Sequence, residues 1–266
     1  MIESLLVNAA LLLAVVLALW LVSVRIGDVS FIDSFWGAGM ALMALSSWLQ
    51  AGQRGLVAHL LLAMTGAWGL RLGIYLFRRW RAEGEDKRYA RMLRKAREEG
   101  RFASTALTKI WLGQAVLLFL VSSPAQVGIL ASSAAMDAGL LTFAGVALYF
   151  VGIVFEWVGD WQLSQFRKDP ATSGQVMDTG LWRYTRHPNY FGDACAWWGI
   201  WLVAASVGWE VAAWTVAGPL FLTFTLVKWS GAALLEKGMK HSRPGYGEYK
   251  RRTSAFLPMP PRKGDG

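Results

Sequence analysis

The chain has 266 residues, is 55% hydrophobic and carries a formal net charge of +9, with a mean hydropathy of +0.34. So apolar a composition excludes an ordinary water-soluble domain, and several runs approach the ~20 apolar residues that span a bilayer. A single cysteine, Cys195, excludes an intramolecular disulfide and a Cys-rich metal site, and the positive charge sits in loops between apolar runs, which suits membrane topology and anionic ligands and not nucleic acid.

Seven apolar runs predict transmembrane helices over residues 2–24, 35–51, 56–77, 109–130, 138–161, 190–207 and 209–235. The second is the shortest. The start, Met1-Ile2-Glu3-Ser4, lacks the basic segment of a cleaved leader, so the first run is expected to be retained. Trp20, Trp36, Trp48, Trp80, Trp111, Trp161, Trp182 and Trp209 fall near the predicted ends, where interfacial aromatics belong. No repeat or low-complexity linker divides the chain. The expectation is an all-α integral membrane bundle forming one domain over residues 1–266, with a basic cytoplasmic loop and a C-terminal tail.

Charge orients this bundle. Residues 78–101 carry 10 Lys and Arg between the third and fourth runs; Arg167, Lys168, Arg183 and Arg186 lie between the fifth and sixth; Lys237 to Lys263 follow the seventh. Seven spans put all three blocks on one side, the cytoplasm, as in a bacterial inner membrane. Loops 132–137 and 208–210 on the other side carry almost no positive charge. The N-terminus is then outside and the C-terminus inside. In the first basic block Tyr89, Met92, Leu93 and Ala96 recur at helical spacing, which predicts an amphipathic helix suited to a membrane surface.

Polar residues inside the apolar runs are the candidates for function. Asp28 and Asp33 flank the second run, and Arg71 lies within the third. An Asp33–Arg71 structural pair and a catalytic role for Asp33 are both open. His59, near the outer end of its run, reads as structural. The fifth run ends with Glu156 and Asp160 four apart, hence on one helix face, and Arg167 follows seven residues on. Two acids one turn apart repel unless a donor or a proton intervenes. That donor is either an arginine such as Arg183 or Arg186, or a ligand rich in hydroxyls and amides.

The densest cluster is Leu181-Trp182-Arg183-Tyr184-Thr185-Arg186-His187-Pro188-Asn189-Tyr190-Phe191-Gly192-Asp193. Pro188 suits the first turn of the sixth helix, whose free N–H groups favour an anion. Arg183, Arg186 and His187 add donors, while Asn189 and Asp193, one turn apart, head into hydrocarbon. The tail holds Tyr246 and Tyr249, an Arg run through Arg251 and Arg252, and a stop at Pro258. It reads either as a strip on anionic lipid or as the lid of a nucleotide site. No His, Cys and carboxylate set has metal spacing, and no G-x-G-x-x-G follows a strand.

The stretch Gly180 to Asp193, with Tyr246 and Tyr249 and the stop at Pro258, resembles the C-terminal domain of the steroid 5-alpha-reductase family. It is most similar to its bacterial DUF1295-type membrane proteins, which also show an Asp33 … Trp36-Gly37 element and an Arg-rich block. The resemblance implies a cofactor region over 155–258 that binds NADPH. Asn189 with Asp193 resembles the family's Asn-x-x-x-acid pair. Glu156, Asp160 and Arg167 match the spacing of cofactor contacts on the preceding helix, Glu156 standing where the family has Asn. Arg183, Arg186, His187, Tyr190, Tyr246, Tyr249 and Arg252 complete the implied cofactor set. The implied reaction adds hydride to a C=C conjugated to a carbonyl of a lipidic substrate, with an acid on that carbonyl. The Gln-Glu and Tyr acid elements of the animal reductases have no clear match; Asp33, Tyr75 and Glu85 are the candidate acids. The Arg-His-Pro-x-Tyr core also resembles isoprenylcysteine and phospholipid methyltransferases, so an S-adenosylmethionine-dependent methyltransferase is an alternative. A non-catalytic scaffold is a third.

Overall fold

The computed structural model describes residues 1–229 and 244–262. Helices make up nearly all of the regular structure. They are α1 Ile2–Ile26, α2 Ile32–Gln50, α3 Leu56–Glu83, α4 Lys87–Glu98, α5 Phe102–Val121, α6 Ser123–Ala131, α7 Leu140–Lys168, α8 Pro188–Ala205, α9 Trp209–Lys228 and α10 Tyr246–Arg252. Among the described residues there is no strand, only an isolated bridge between Thr185 and Ser254. Among the described residues five helices, α1, α3, α5, α7 and α9, are long and apolar enough to cross a membrane. The protein is an all-helical integral membrane protein.

Three predicted runs come out differently. The runs at 35–51 and 190–207 are helices, α2 and α8, but fall short of those five in length and apolarity. Both spend positions on small and polar residues, for reasons that lie in packing. The run at 109–130 is two helices, not one: the chain leaves α5 at Ser122, and Pro124 sits in the first turn of α6, where its missing N–H costs nothing. The α5 helix also contains a π turn over Ala106–Trp111. The last predicted residues of the seventh run, 230–235, lie outside the described residues.

The chain forms two compact units, Met1–Thr142 with Ile200–Gly218, and Phe143–Gly199 with the described residues from Pro219 onward. In the first unit α2 and α3 cross backbone to backbone. A Cβ on Gly37 would overlap the Gly69 carbonyl, and one on Gly69 would overlap that of Gly37. Small residues at such a crossing let two apolar helices approach where lipid gives no hydrophobic drive. A buried amide network holds α1 in register. Asn8 Nδ2 donates to Ser47 Oγ at 2.8 Å and to Gln126 Oε1 at 2.9 Å, and Gln50 Nε2 donates to Asn8 Oδ1 at 2.9 Å. Gln126 in turn donates to Ser122 Oγ at 2.8 Å. Asn8, Ser47, Ser122 and Gln126 are fully buried, so each amide must find its partners within the protein.

The predicted amphipathic helix is α4, but its apolar face is not turned to lipid. Tyr89, Leu93 and Ala96 are buried within the unit, and Met92 is the one that is exposed. Asp86 caps the helix, accepting from Arg88 N at 2.8 Å. Arg97 ties its far end back, donating to the Gly27 carbonyl at 2.7 Å. Gly27 itself closes α1 with φ +71°, a conformation that glycine enters at no steric cost.

In the second unit α7 and α8 pack through a glycine ladder. Gly145, Gly152 and Gly159 recur every seven residues on α7, as do Gly192 and Gly199 on α8. A Cβ on Gly192 would lie 2.5 Å from the Gly152 carbonyl oxygen and 2.6 Å from Glu156 N. A Cβ on Gly199 would lie 2.6 Å from Gly145 O and from Tyr149 N. At Gly159 the neighbours are Pro188 Cγ at 3.1 Å and Asn189 N at 3.3 Å.

Candidate functional site

That ladder sets what α7 presents to the N-terminus of α8. Glu156 and Asp160 are only 2% and 7% exposed, and Asp160 Oδ1 accepts from Asn189 Nδ2 at 3.2 Å. One donor beside the paired acids is thus an amide across the helix crossing. Arg183 is exposed, and Arg186 turns Nη1 to the tail carbonyls of Lys250 and Thr253 at 3.0 and 2.6 Å. Asn189 Oδ1 also accepts from Tyr190 N at 3.1 Å. His187 is buried and stacks on Tyr190, ring centroids 5.3 Å apart at 8°. Asp193, one turn along α8, is half-buried. Arg167 does not share the burial of Glu156 and Asp160: the last turn of α7 leaves it exposed.

The approach to α8 is held by its neighbours. Trp182 Nε1 donates to the Gly159 carbonyl at 3.1 Å, and Leu181 N donates to Gln162 Oε1 at 3.0 Å. The tail is stitched to the same segment. Thr185 Oγ1 donates to Phe256 O at 2.8 Å, Arg186 N to Ser254 O at 2.9 Å and Met259 N to Tyr184 O at 3.0 Å. Arg252 pairs with Asp178. Tyr249 OH donates to Trp182 O at 2.6 Å. Burial, with the neighbouring Tyr246, pushes the Tyr249 phenol above its ordinary range, so it stays a donor. Tyr246 is equally buried, at 2% exposed. A cavity of about 1600 Å³ lies against this tail, walled by Arg183, Tyr246, Lys250, Arg251, Arg252 and Arg262 among others.

The three candidate acids belong to the first unit and are not equivalent. Asp33 is met by Arg88 and Tyr89, not by Arg71: Arg88 Nη2 lies 2.8 Å from Oδ2, and Tyr89 OH donates to Oδ1 at 2.6 Å. Arg71 stacks its guanidinium over Tyr75, 5.5 Å from the ring centroid. Glu85 is taken up by Arg97. Burial raises the Asp33 carboxyl, and the charge of Arg88 and the Tyr89 bond offset this only in part. Burial and the charge of Asp33 also raise the Tyr89 phenol, which keeps its proton. Tyr89 is the chemically interesting residue that sequence reasoning placed only on a packing face. The signal for it was its position beside Arg88, since the two adjacent side chains grip the two oxygens of one distant carboxylate.

The donor set of the second unit fits a dinucleotide. Buried carboxylates and an amide suit hydroxyls and a carboxamide, and the cavity, which Glu156, Asp160 and Asn189 do not line, carries four arginines that suit phosphates.

Comparison with known proteins gives a family and partial relatives. The family model described as "Protein of unknown function (DUF1295)" matches residues 19–253. The 3-oxo-5-alpha-steroid 4-dehydrogenase 1 of Mus musculus is 31% identical over 97 residues, 36% of this chain and 32% of that protein. The protein of the same description from Homo sapiens is 30% identical over 89 residues, 34% of this chain and 31% of its own. The match thus spans about a third of the length of these curated relatives. No solved structure matches significantly. By the family match over most of its length, the chain belongs to the DUF1295 family.

Proposed function

We propose that this protein is a membrane-embedded NADPH-dependent reductase of a C=C bond conjugated to a carbonyl in a lipidic molecule, steroid-like or isoprenoid. The observation that carries the reading is the Asp160–Asn189 contact beside buried Glu156 at the mouth of α8, in a chain that is partly similar to 3-oxo-5-alpha-steroid 4-dehydrogenases. Glu156, Asp160, Asn189 and Asp193 would hold the hydroxyls and carboxamide of the nucleotide. His187 and Tyr190 offer a stacked aromatic wall. Arg183, Arg186, Arg252 and the exposed Arg167 are the cationic candidates for its phosphates. Tyr246 and Tyr249 hold the tail against that side of the unit. NADPH, when bound, would supply the hydride. Asp33, Tyr75 and Glu85 are the candidate acids for the substrate carbonyl, while the one proton of the Tyr89 phenol is given to Asp33. Seven spans, with the N-terminus outside and the C-terminus in the cytoplasm, would put the nucleotide residues on the side where NADPH is available.

Purified protein in detergent should bind NADPH saturably and gain thermal stability by linkage. Asp160→Ala and Asn189→Ala should each weaken that binding at least tenfold without unfolding the chain. Asp33→Asn should keep the binding and lose turnover. Stabilisation by S-adenosylmethionine and not by NADPH would instead assign a methyltransferase, and no response to either would leave a scaffold.

A further inference from the structure

The cavity against the tail of the second unit has a lopsided charge. Its walls carry the cations Arg183, Lys250, Arg251, Arg252 and Arg262 and the acids Asp178 and Glu248. Arg252 is paired with Asp178. Arg183, Arg251 and Arg262 are exposed and have no ion pair among the described residues. With Glu248 counted against them, the lining keeps a surplus of three positive charges, and such a concave basic surface attracts an anion.

Two observations say which kind. The first is depth. A hydrocarbon core of ~30 Å takes ~20 helical residues, so α7, starting at Leu140, leaves it near Trp161. Leu140 and Trp161 are both exposed, and tryptophan favours that boundary. Trp182 Nε1 donates to the Gly159 carbonyl and Leu181 N to Gln162 Oε1, which holds Arg183 and Tyr184 at the same level. Met259 N donates to Tyr184 O, and Arg262 N to Arg252 O at 2.9 Å. The tail and its arginines are thereby fixed where lipid head groups lie.

The second is the outward side of the tail. Residues 254–259 alternate: Ser254, Phe256 and Pro258 are half-buried, while Ala255, Leu257 and Met259 are exposed. Phe256 turns in against Phe191, ring centroids 5.9 Å apart. Leu257 and Met259 turn out, 60% and 56% exposed, and Pro260, Pro261 and Arg262 then return to the cavity wall. A soluble anion has use for the charge alone. An anionic lipid has use for the charge and for the apolar strip beside it.

We infer that this cavity seats the phosphate of an anionic phospholipid, held by Arg251 and Arg262, with Leu257 and Met259 against its acyl chains. The reductase reading calls on Arg183 and Arg252 for its nucleotide and the inference does not rest on it.

The test uses the full chain in neutral detergent, titrated with phosphatidylglycerol or phosphatidylcholine, with retained lipid counted by native mass spectrometry. Arg251, Leu257, Met259 and Arg262 are exposed, so their variants should keep the lipid-free thermal midpoint of the parent. The expected result is saturable retention of phosphatidylglycerol, at least tenfold tighter than that of phosphatidylcholine. Arg251→Gln with Arg262→Gln should weaken it at least tenfold, lysine at both positions should recover most of it, and Leu257→Ser with Met259→Ser should weaken it also. Equal retention of the two lipids, or retention unchanged in the glutamine or the serine variant, overturns the inference. Neither inorganic phosphate nor NADPH should displace the lipid better than sodium chloride of equal ionic strength; displacement by either assigns the cavity to a soluble anion and overturns it too. NADPH binding to the lipid-free parent is measured alongside, and its absence counts against the reductase reading alone.

Discussion

One methyl group, added at two glycines, tests the packing that builds the nucleotide side. At Gly192 the new Cβ would lie 2.5 Å from Gly152 O, 2.6 Å from Glu156 N and 3.1 Å from Glu156 Cα. All three are backbone atoms, so no rotamer change relieves the overlap. The two shortest contacts are about 1 Å inside the ~3.5 Å at which heavy atoms attract, and α7 and α8 must separate to admit the group. Overpacking of this kind costs about 1–3 kcal/mol, which equals or exceeds the ~1 kcal/mol that alanine gains over glycine in a helix. At Gly113, in α5, a Cβ meets nothing within 4 Å, so only the helix gain remains. Gly192→Ala should therefore lower the thermal midpoint in detergent, and Gly113→Ala should raise it slightly. Because the separation falls between Asp160 and Asn189, Gly192→Ala should also weaken nucleotide binding, while Gly113→Ala should not. Equal midpoints for the parent and Gly192→Ala would refute the ladder as a close contact.

Three further outcomes follow from the polar anchors. Tyr249→Phe removes the donor to Trp182 O; it should cost ~1 kcal/mol and speed limited proteolysis of the tail after Pro244, and an unchanged cleavage rate would count against the tail clamp. Gln126→Leu strands Asn8 within the buried network, costing about 1–3 kcal/mol. The double variant with Asn8→Leu should recover part of that loss, which a denaturation cycle measures. Asp86 gives a pH prediction. Burial would raise its carboxyl, but the hydrogen bonds and charge of Arg88 more than reverse this and hold it below the ordinary value. A lowered folded pKa stabilises above the unfolded value of about 4 and is lost as pH falls through the folded one. Amide exchange of α4 should thus rise below about pH 4, and Asp86→Asn should remove that acid step.

The helices were legible because a chain in lipid must satisfy its backbone within each segment, so the apolar runs mark helices almost directly. The split at Ser122 was less so: Pro124 is visible, but a run of that hydropathy reads as continuous. The i, i+4 pairing of Glu156 with Asp160 followed from helical period, and both are buried. Their amide neighbour, Asn189, is 29 residues away, and periodicity carries no information across that gap. For Asp33, hydropathy placed Arg71 nearby in the bundle; the partners proved to be Arg88 and Tyr89 on α4, a helix whose docking depends on burying Tyr89, Leu93 and Ala96.

Sequence alone therefore determined that this is a helical membrane protein, where most of its helices lie, and which polar residues sit at odds with an apolar surrounding. Those properties depend on local composition and on spacing along one helix. Tertiary structure alone decided which polar groups meet. The glycines at 152, 159 and 192 let two helix backbones touch and so bring Asp160 to Asn189. The fold of α4 gives Asp33 its tyrosine. Each depends on helix crossings set by close packing over many residues at once, which no single segment encodes.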